Sequence, residues 1–561
     1  MSSKSRCPEH RWAPGRPAPV ARHDARVAAP RASGATPTGG RDACRMGKRI
    51  PLNKPCPMTT YSNRALLLVL SAAAVATSLT AAAPTAQAAP ARSSTSVPAL
   101  TWRPCAQPGG PAGQECADLP VPLDYADPAG PQLTLAVARL RSDRPEARRG
   151  TLIVIPGGPG SAGVQRLTQK GAALQKEMAG AYDLVGLDPR GVGGSTRANC
   201  GLDEDDRYMT SLRSWPEPGG DITENVARAR RTAEACARNG GAVLRSFTTA
   251  NEVRDIDRFR QALGEEKLSA WGVSYGTYVG AVYAQKYPQH TDRWVLDSAG
   301  DPDPARVARG WLANMAQAAD DRFRDFAAWA SDPAQETKGL RLARRAEDVR
   351  PLFLSLAAKL DREPKATTTA GVALTGNRLR QALQSALYSD ASFEQPARLV
   401  LAAQDPAATP VLPADLANPL PDQDAAVMVA VICNDVRWPA SVSSYRRVVA
   451  ADRVRHPLTA GMPANITPCA FWKNAPAEKP TTITSQGPSD ILMIQNLRDP
   501  ATPYFGALKM REALGDRARL VTVDHGGHGV YLGNGNACGT GKVTEFLTTG
   551  VRPAQDAYCA D

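Results

Sequence analysis

Gly272-Val273-Ser274-Tyr275-Gly276 stands where a predicted strand ends and a predicted helix begins, and it matches the pattern G-x-S-x-G. A serine hydroxyl is a poor nucleophile at neutral pH, so a fold that uses one must expose it on a tight turn and supply a base. Flanking glycines permit that turn. With 46 Gly in 561 residues the pattern alone is a weak signal, and its surroundings give it weight. Leu268 to Val273 is a short, largely apolar strand, and after the serine Tyr278, Val279, Val282 and Tyr283 recur at helical spacing until Pro288. Another helix precedes the strand: Thr249 and Glu252 form a capping box, Val253, Ile256, Phe259 and Leu263 make one apolar stripe, and Gly264 suits the stop. Helix, strand, serine turn, helix is the order of an α/β sheet.

Outward from this unit, further strands are predicted at Leu133 to Leu140, Leu152 to Ile155, Tyr182 to Leu187, Arg293 to Leu296, Ile491 to Asn496 and Leu520 to Val523. Spaced among helical and glycine-rich segments, they imply a mainly parallel sheet. Between about Asp301 and Lys479 the pattern turns helical, as at Leu312 to Trp329 and Leu379 to Leu387. Strand-like segments resume after it, so this stretch is read as an inserted helical cap. The expected organisation is a leader over 1–88, a flexible tether over 89–101, the core over 102–300, the cap over 301–479, and the rest of the core over 480–561.

Ala65 to Thr80 is an apolar run preceded by Arg64 and followed by Ala86-Gln87-Ala88, the form of a secretory signal with an A-x-A cleavage site near Ala88. Met58 to Arg64 resembles a signal n-region, which residues 1 to 57 do not, so the true start is placed at Met58. The run is short for a membrane span, and no Cys follows it to carry a lipid. Export without a stable membrane anchor is therefore expected. The formal charge of +12 suggests nucleic acid until it is divided. Residues 1–88 hold 13 of the 67 Lys and Arg and 3 of the 55 Asp and Glu, which leaves 54 basic residues against 52 acidic ones. No basic stripe interleaves with aromatics, and nucleic acid is excluded as a partner.

Eight of the eleven cysteines lie beyond the leader, an even number that suits an exported chain. Their local grouping pairs 105 with 116, 200 with 236, 433 with 469, and 538 with 559. No C-x-x-C pair or His cluster supports the rival reading of a zinc site.

A serine hydrolase needs a histidine to take the serine proton and a carboxylate to orient it. Outside the leader there are four histidines. His290 ends the helix after the serine and His456 falls in the cap, which leaves His525 and His528 in Val523-Asp524-His525-Gly526-Gly527-His528-Gly529. His528, farther from the strand end and between glycines, is the expected base, and His525 a solvated loop residue. The acid belongs on the loop after the penultimate strand, where Asp499 is favoured, with Asp297 and Asp524 as rivals. The order Ser, acid, His is that of the α/β hydrolases. Pro156-Gly157-Gly158-Pro159-Gly160, just past a strand, can bring backbone N–H groups to a developing oxyanion, with Gly158 and Tyr275 as donors.

The segments IPGGPGSAG (155–163), DLVGLDPRGVGGS (183–195), GVSYGTYVG (272–280), LRDPATPY (497–504) and VDHGGHG (523–529) resemble secreted bacterial tripeptidyl aminopeptidases, which belong with the prolyl aminopeptidases among α/β hydrolases. The resemblance spans essentially the whole chain after the leader. It implies that Ser274, Asp499 and His528 are nucleophile, acid and base, that Gly157 and Gly158 form the oxyanion loop, and that Asp188 and Arg190 brace that loop. The prolyl aminopeptidase pattern has His before Gly-Gly-Pro-Gly, and Pro156 takes that place here, which points away from release of single prolines.

The expectation is an α/β-hydrolase fold with an inserted helical cap: a secreted, monomeric serine exopeptidase that releases tripeptides or other short peptides from free N-termini through an acyl-enzyme, without metal or organic cofactor. An aminopeptidase must also fix a free ammonium, and Asp435, near Cys433 and Trp438, is a conceivable anchor. The alternatives are a carboxylesterase or lipase with the same triad, a prolyl aminopeptidase, and a silent binding protein on the same fold.

Overall fold

The computed structural model describes residues 99–105, 109–207 and 213–560. The leader, the signal sequence and residues 89–98 of the tether lie outside the described residues. The first strands are β1 (Arg103–Pro104), β2 (Glu115–Pro122), β3 (Gln132–Leu140) and β4 (Gly150–Ile155), followed by helix α1 (Gly163–Met178) and β5 (Tyr182–Leu187). Helices α2 (Thr223–Asn239), α3 (Gly241–Arg245) and α4 (Thr249–Ala262) lead to β6 (Leu268–Val273), α5 (Tyr275–Lys286) and β7 (Thr291–Asp297). A long helical stretch then carries α6 (Arg309–Ser331), α7 (Ala346–Arg362), the short hairpin β8 (Lys365–Ala366) and β9 (Ala373–Leu374), α8 (Gly376–Ala386), α9 (Glu394–Gln404), α10 (Ala414–Ala417), α11 (Asp422–Asp435) and α12 (Val442–Arg455). The chain closes with β10 (Ile491–Arg498), α13 (Tyr504–Leu514), β11 (Ala518–Gly526), α14 (Ala537–Thr549) and β12 (Ala557–Cys559).

One sheet organises these elements, in the order β1-β2-β3-β5-β4-β6-β7-β10-β11-β12. From β5 to β12 every neighbouring pair is parallel, whereas β1, β2 and β3 join antiparallel at one edge. This is the α/β-hydrolase fold. Every residue of β6 is buried, because helices cover both faces, and its sequence is accordingly a continuous run rather than an alternation. On one face Ile153, Ala270, Leu296 and Met493 pack with α4, α5 and α13; on the other Val154, Trp271, Val295 and Ile494 pack with α1 and α14.

The stripe Val253, Ile256 and Phe259 of α4 is buried as its spacing predicts, and Gly264 ends the helix at φ +74°. The capping box is not formed. Thr248 is the N-cap, its hydroxyl accepting from Asn251 N–H at 3.1 Å, and Glu252 turns inward to meet the Tyr275 hydroxyl. A partner in the core has displaced the local backbone partner that the spacing suggested. Strand β2, which the sequence did not reveal, carries Pro120 and Pro122 and survives them near the sheet edge by pairing with β3 alone over most of its length.

Residues 298–490 add no strand to the main sheet. Phe323, Phe326, Phe353, Leu379 and Phe393 form a core of their own within this insert, while α11 packs Ala426, Val429 and Ala430 into the main core. Four disulfides, Cys105–Cys116, Cys200–Cys236, Cys433–Cys469 and Cys538–Cys559, are formed in the expected pairing.

Candidate active site

Ser274 stands between β6 and α5 with φ +60° and ψ −124°, a conformation that side-chain-bearing residues rarely adopt and that costs on the order of 1–3 kcal/mol. The surrounding glycines make it possible. A Cβ on Gly272 would lie 2.5 Å from the Gly276 carbonyl oxygen, and one on Gly276 would lie 2.4 Å from that of Ile155. The turn is therefore pressed between its own strand and β4, which holds Ser274 at the carboxyl edge of the sheet. Gly157, in the loop after β4, sits so close that a Cβ there would be 2.9 Å from the Ser274 Cβ. Tyr275 is the first residue of α5, so its N–H has no partner within the helix and is free to bond to a ligand.

Asp499 and His528 meet across the ends of β10 and β11. His528 Nδ1 is 2.9 Å from Asp499 Oδ2 and 3.0 Å from Oδ1. The carboxylate is 1% exposed and accepts the N–H groups of Ala501 and Thr502, each at 2.8 Å, so its orientation is set by its own loop. With Nδ1 directed to a carboxylate, Nε2 is the nitrogen left to exchange a proton. His528 and Ser274 line one cavity and are not hydrogen-bonded to each other in this resting arrangement. Catalytic hydrogen bonds commonly tighten only with substrate in place.

Groups that the sequence did not single out position the His528 loop. The His528 N–H donates to the Tyr388 carbonyl at 2.9 Å, and the Tyr388 ring meets the imidazole edge-on with centroids 5.1 Å apart. Asn534 Nδ2 donates to the carbonyls of His528 (2.8 Å) and Tyr388 (3.0 Å), and Asn496 Nδ2 to that of Gly527 (3.0 Å). Tyr388 belongs to the helical insert, and no spacing in the sequence links it to a loop 140 residues on. Asn496, at the end of a predicted strand two residues before Arg498-Asp499, had a positional signal.

The rival acids have other partners. Asp297 is fully buried and accepts from the N–H groups of Val530 (2.8 Å) and Tyr531 (2.9 Å) and from Trp271 Nε1 (3.1 Å), which ties the segment after His528 to β7. Asp524 pairs with Arg498 at 2.7 Å and with the Tyr558 hydroxyl at 2.6 Å. His525 bonds only within its own turn. Asp188 accepts from Val164 N–H at 2.8 Å, holding the start of α1 just past the Gly157–Gly160 loop, whereas Arg190 braces β2 and α4 through Pro122 O, Leu123 O and Asp255. Asp435 is not brought to Ser274. Its oxygens are taken by the Thr249 N–H and hydroxyl, and it lines a separate small cavity with Thr248, Tyr278 and Glu478.

Behind the serine turn, Glu252, Tyr275, Thr249 and Asp435 form a buried polar chain. Burial pushes the Glu252 carboxyl up to about 8 and that of Asp435 up to about 7. With Glu252 protonated every group has a donor to give: Glu252 to the Tyr275 hydroxyl, that hydroxyl to Thr249, and Thr249 to Asp435. The chain anchors α5, and with it the Tyr275 N–H, to α4 and α11.

Two cavities meet at Ser274. One, of about 110 Å³ and mainly apolar, is lined by Trp311, Leu312, Met315 and Ile432 together with Tyr275, Gly158 and Arg213. The other, of about 620 Å³, contains His528, Gly157 and Gly158 and is polar. A carbonyl placed at their junction has a hydroxyl, an imidazole backed by a carboxylate, and free backbone amides around it, the set that acyl transfer requires. Neither lobe has an Asp or Glu among its described lining residues.

Comparison with known proteins gives relatives over most of the chain. A family profile described as TAP-like protein matches residues 457–559. A tripeptidyl aminopeptidase of Streptomyces lividans is 34% identical over 483 residues, covering 82% of this chain and 86% of that protein. Serine protease Hip1 of Mycobacterium tuberculosis is 28% identical, with 82% and 91% covered, and a carboxylesterase B of the same species is 29% identical, with 79% and 86% covered.

Proposed function

Because this chain belongs to the tripeptidyl aminopeptidase family of α/β hydrolases and is a serine hydrolase of the peptidase class, we propose that it removes tripeptides or other short peptides from free N-termini through an acyl-enzyme. Ser274 attacks the scissile carbonyl, His528 takes its proton and passes it to the leaving amine, and Asp499 holds the imidazole and stabilises its charged form. The oxyanion is held by the N–H groups of Gly158 and Tyr275, with Gly157 providing the close approach of the loop. The observation that carries this reading is that His528, paired with Asp499 at 2.9 Å, lines the same cavity as Ser274. The apolar lobe takes the acyl side of the substrate.

Four disulfides support an exported protein, and among the described residues no helix is long and apolar enough to cross a membrane. Together with the signal-like Ala65 to Ala88, they support secretion.

The relative named carboxylesterase B favours a second reading, ester hydrolysis by the same three residues. The two are separated by rates on tripeptidyl arylamides with free and with blocked N-termini and on short-chain esters. Preference for the free-amine arylamide is the expected result; ester turnover with no cleavage of free-amine peptides sinks the peptidase reading.

A further inference from the structure

The polar lobe beside Ser274 contains three cations, Arg166, Lys170 and Arg213, and no acidic residue among those described. Arg166 and Lys170 are four residues apart on α1, so they share one face of the helix, where like charges repel. Among the described residues neither of the two forms a salt bridge. The Arg166 guanidinium lies 4.9 Å from the centre of the Trp271 ring, and its Nε is buried without a hydrogen-bond partner. The carboxylate that acts on it, Asp297, is already held by Val530, Tyr531 and Trp271. Lys170 donates to the Leu532 carbonyl at 2.7 Å, which leaves two of its three N–H groups. Arg213, which lines both lobes, reaches the Tyr388 hydroxyl at 3.1 Å. Burial, and after it the neighbouring Arg166, lower the Lys170 pKa.

The lobe's place in the reaction identifies the anion. The departing amine takes its proton from His528, so the leaving fragment must lie in the lobe that His528 lines, and the acyl fragment in the apolar lobe that His528 does not line. We propose that Arg166 and Lys170 form a carboxylate-binding subsite for the leaving fragment, so that the preferred substrates are short peptides carrying a carboxylate within a residue or two of the cut bond. The inference rests on the peptidase reading above. The carboxylate has two possible sources, the C-terminus of a short peptide and an acidic side chain following the scissile bond. Arg presents a planar fork that fits a carboxylate, and in a part-buried lobe such a contact is worth tenfold or more.

The test uses three peptides: tetra-alanine as the free acid, tetra-alanine as the C-terminal amide, and the amide with Asp as its fourth residue. The wild-type enzyme is expected to cut the free acid at least about tenfold better than the plain amide in kcat/KM, mainly through KM. Arg166→Gln and Lys170→Gln should each bring that ratio towards one. A general loss of activity cancels in the ratio, so damage to folding does not imitate the result. Recovery of the rate by the Asp amide assigns the subsite to either carboxylate; no recovery assigns it to the chain terminus. Equal rates on acid and amide, or a ratio that neither substitution changes, overturns the proposal. Calorimetric binding of the same peptides to Ser274→Ala gives the answer without turnover. If esters alone are hydrolysed the peptidase reading fails, and acid binding no tighter than amide then removes the subsite as well.

Discussion

Tyr388 and His528 hold each other twice: the His528 N–H bonds to the Tyr388 carbonyl at 2.9 Å, and the two rings meet edge to face at 5.1 Å. A residue of the helical insert thus fixes both the backbone and the ring plane of the proposed base. Tyr388→Ala keeps the carbonyl and removes the ring. An edge-to-face pair contributes about 0.5–1.5 kcal/mol, so kcat/KM should fall by up to about tenfold, mostly in kcat, and less for Tyr388→Phe. Steady-state kinetics on a tripeptidyl arylamide measure this, and Ala and Phe variants that behave alike would remove the ring from the account.

Ser274→Ala, Asp499→Asn and His528→Ala should each cost several orders of magnitude in kcat. The double variant Ser274→Ala/His528→Ala should lose little more than either single one, the outcome for residues that act as a unit. Losses that multiply would mean the three do not share one step.

Gly157→Ala tests the close approach of the oxyanion loop. Its methyl would meet the Ser274 Cβ at 2.9 Å, so the loop must back away from the serine. The loss of a donor of this kind costs about 10²–10³ in kcat. A drop of that size, with a shift in thermal midpoint of only a few degrees, is the expected outcome; an unchanged kcat would place the oxyanion elsewhere.

Glu252 predicts a pH dependence of stability. Its carboxyl is pushed up to about 8 in the fold, against an ordinary value of 4.5. The folded protein therefore keeps a proton that the unfolded chain releases. Stability from this group is full below about pH 4.5 and is lost as pH rises through about 8. Asp435, at about 7, adds the same sign. Glu252→Gln keeps a neutral donor to Tyr275 at every pH. Its melting temperature should fall less than that of the wild type between pH 5 and pH 9, leaving it the more stable protein at pH 9 by on the order of a few kcal/mol. Parallel melting curves across that range would contradict the assignment.

Much of this architecture is legible because its signals are local. Tyr182 to Leu187 and Leu268 to Val273 are strands over the very residues that their apolar runs mark. Ser274, Asp499 and His528 are singled out by position relative to those strands and by the scarcity of histidine. What stays hidden depends on contacts between distant segments. Nothing beside Tyr388 indicates that its carbonyl serves a loop 140 residues later, and Asp435 resembles a free acid until Thr249 is seen to occupy its oxygens. Glu252 fits a capping box by spacing, but it turns inward to the Tyr275 hydroxyl at 3.1 Å, and burial there makes its carboxyl hold a proton. The basic lobe assembles from α1 and from residue 213, which no sequence window contains together.

The hold that Tyr388 keeps on the His528 loop also limits how this scaffold can be redesigned. Trimming the insert to admit bulkier substrates would remove a bearing on which the imidazole turns, and grafting a foreign insert would import selectivity while leaving the base adrift. Diversification by exchange of this region must carry a carbonyl at the Tyr388 position with it, so the segment that supplies Trp311, Leu312 and Met315 to the apolar lobe is not a free module.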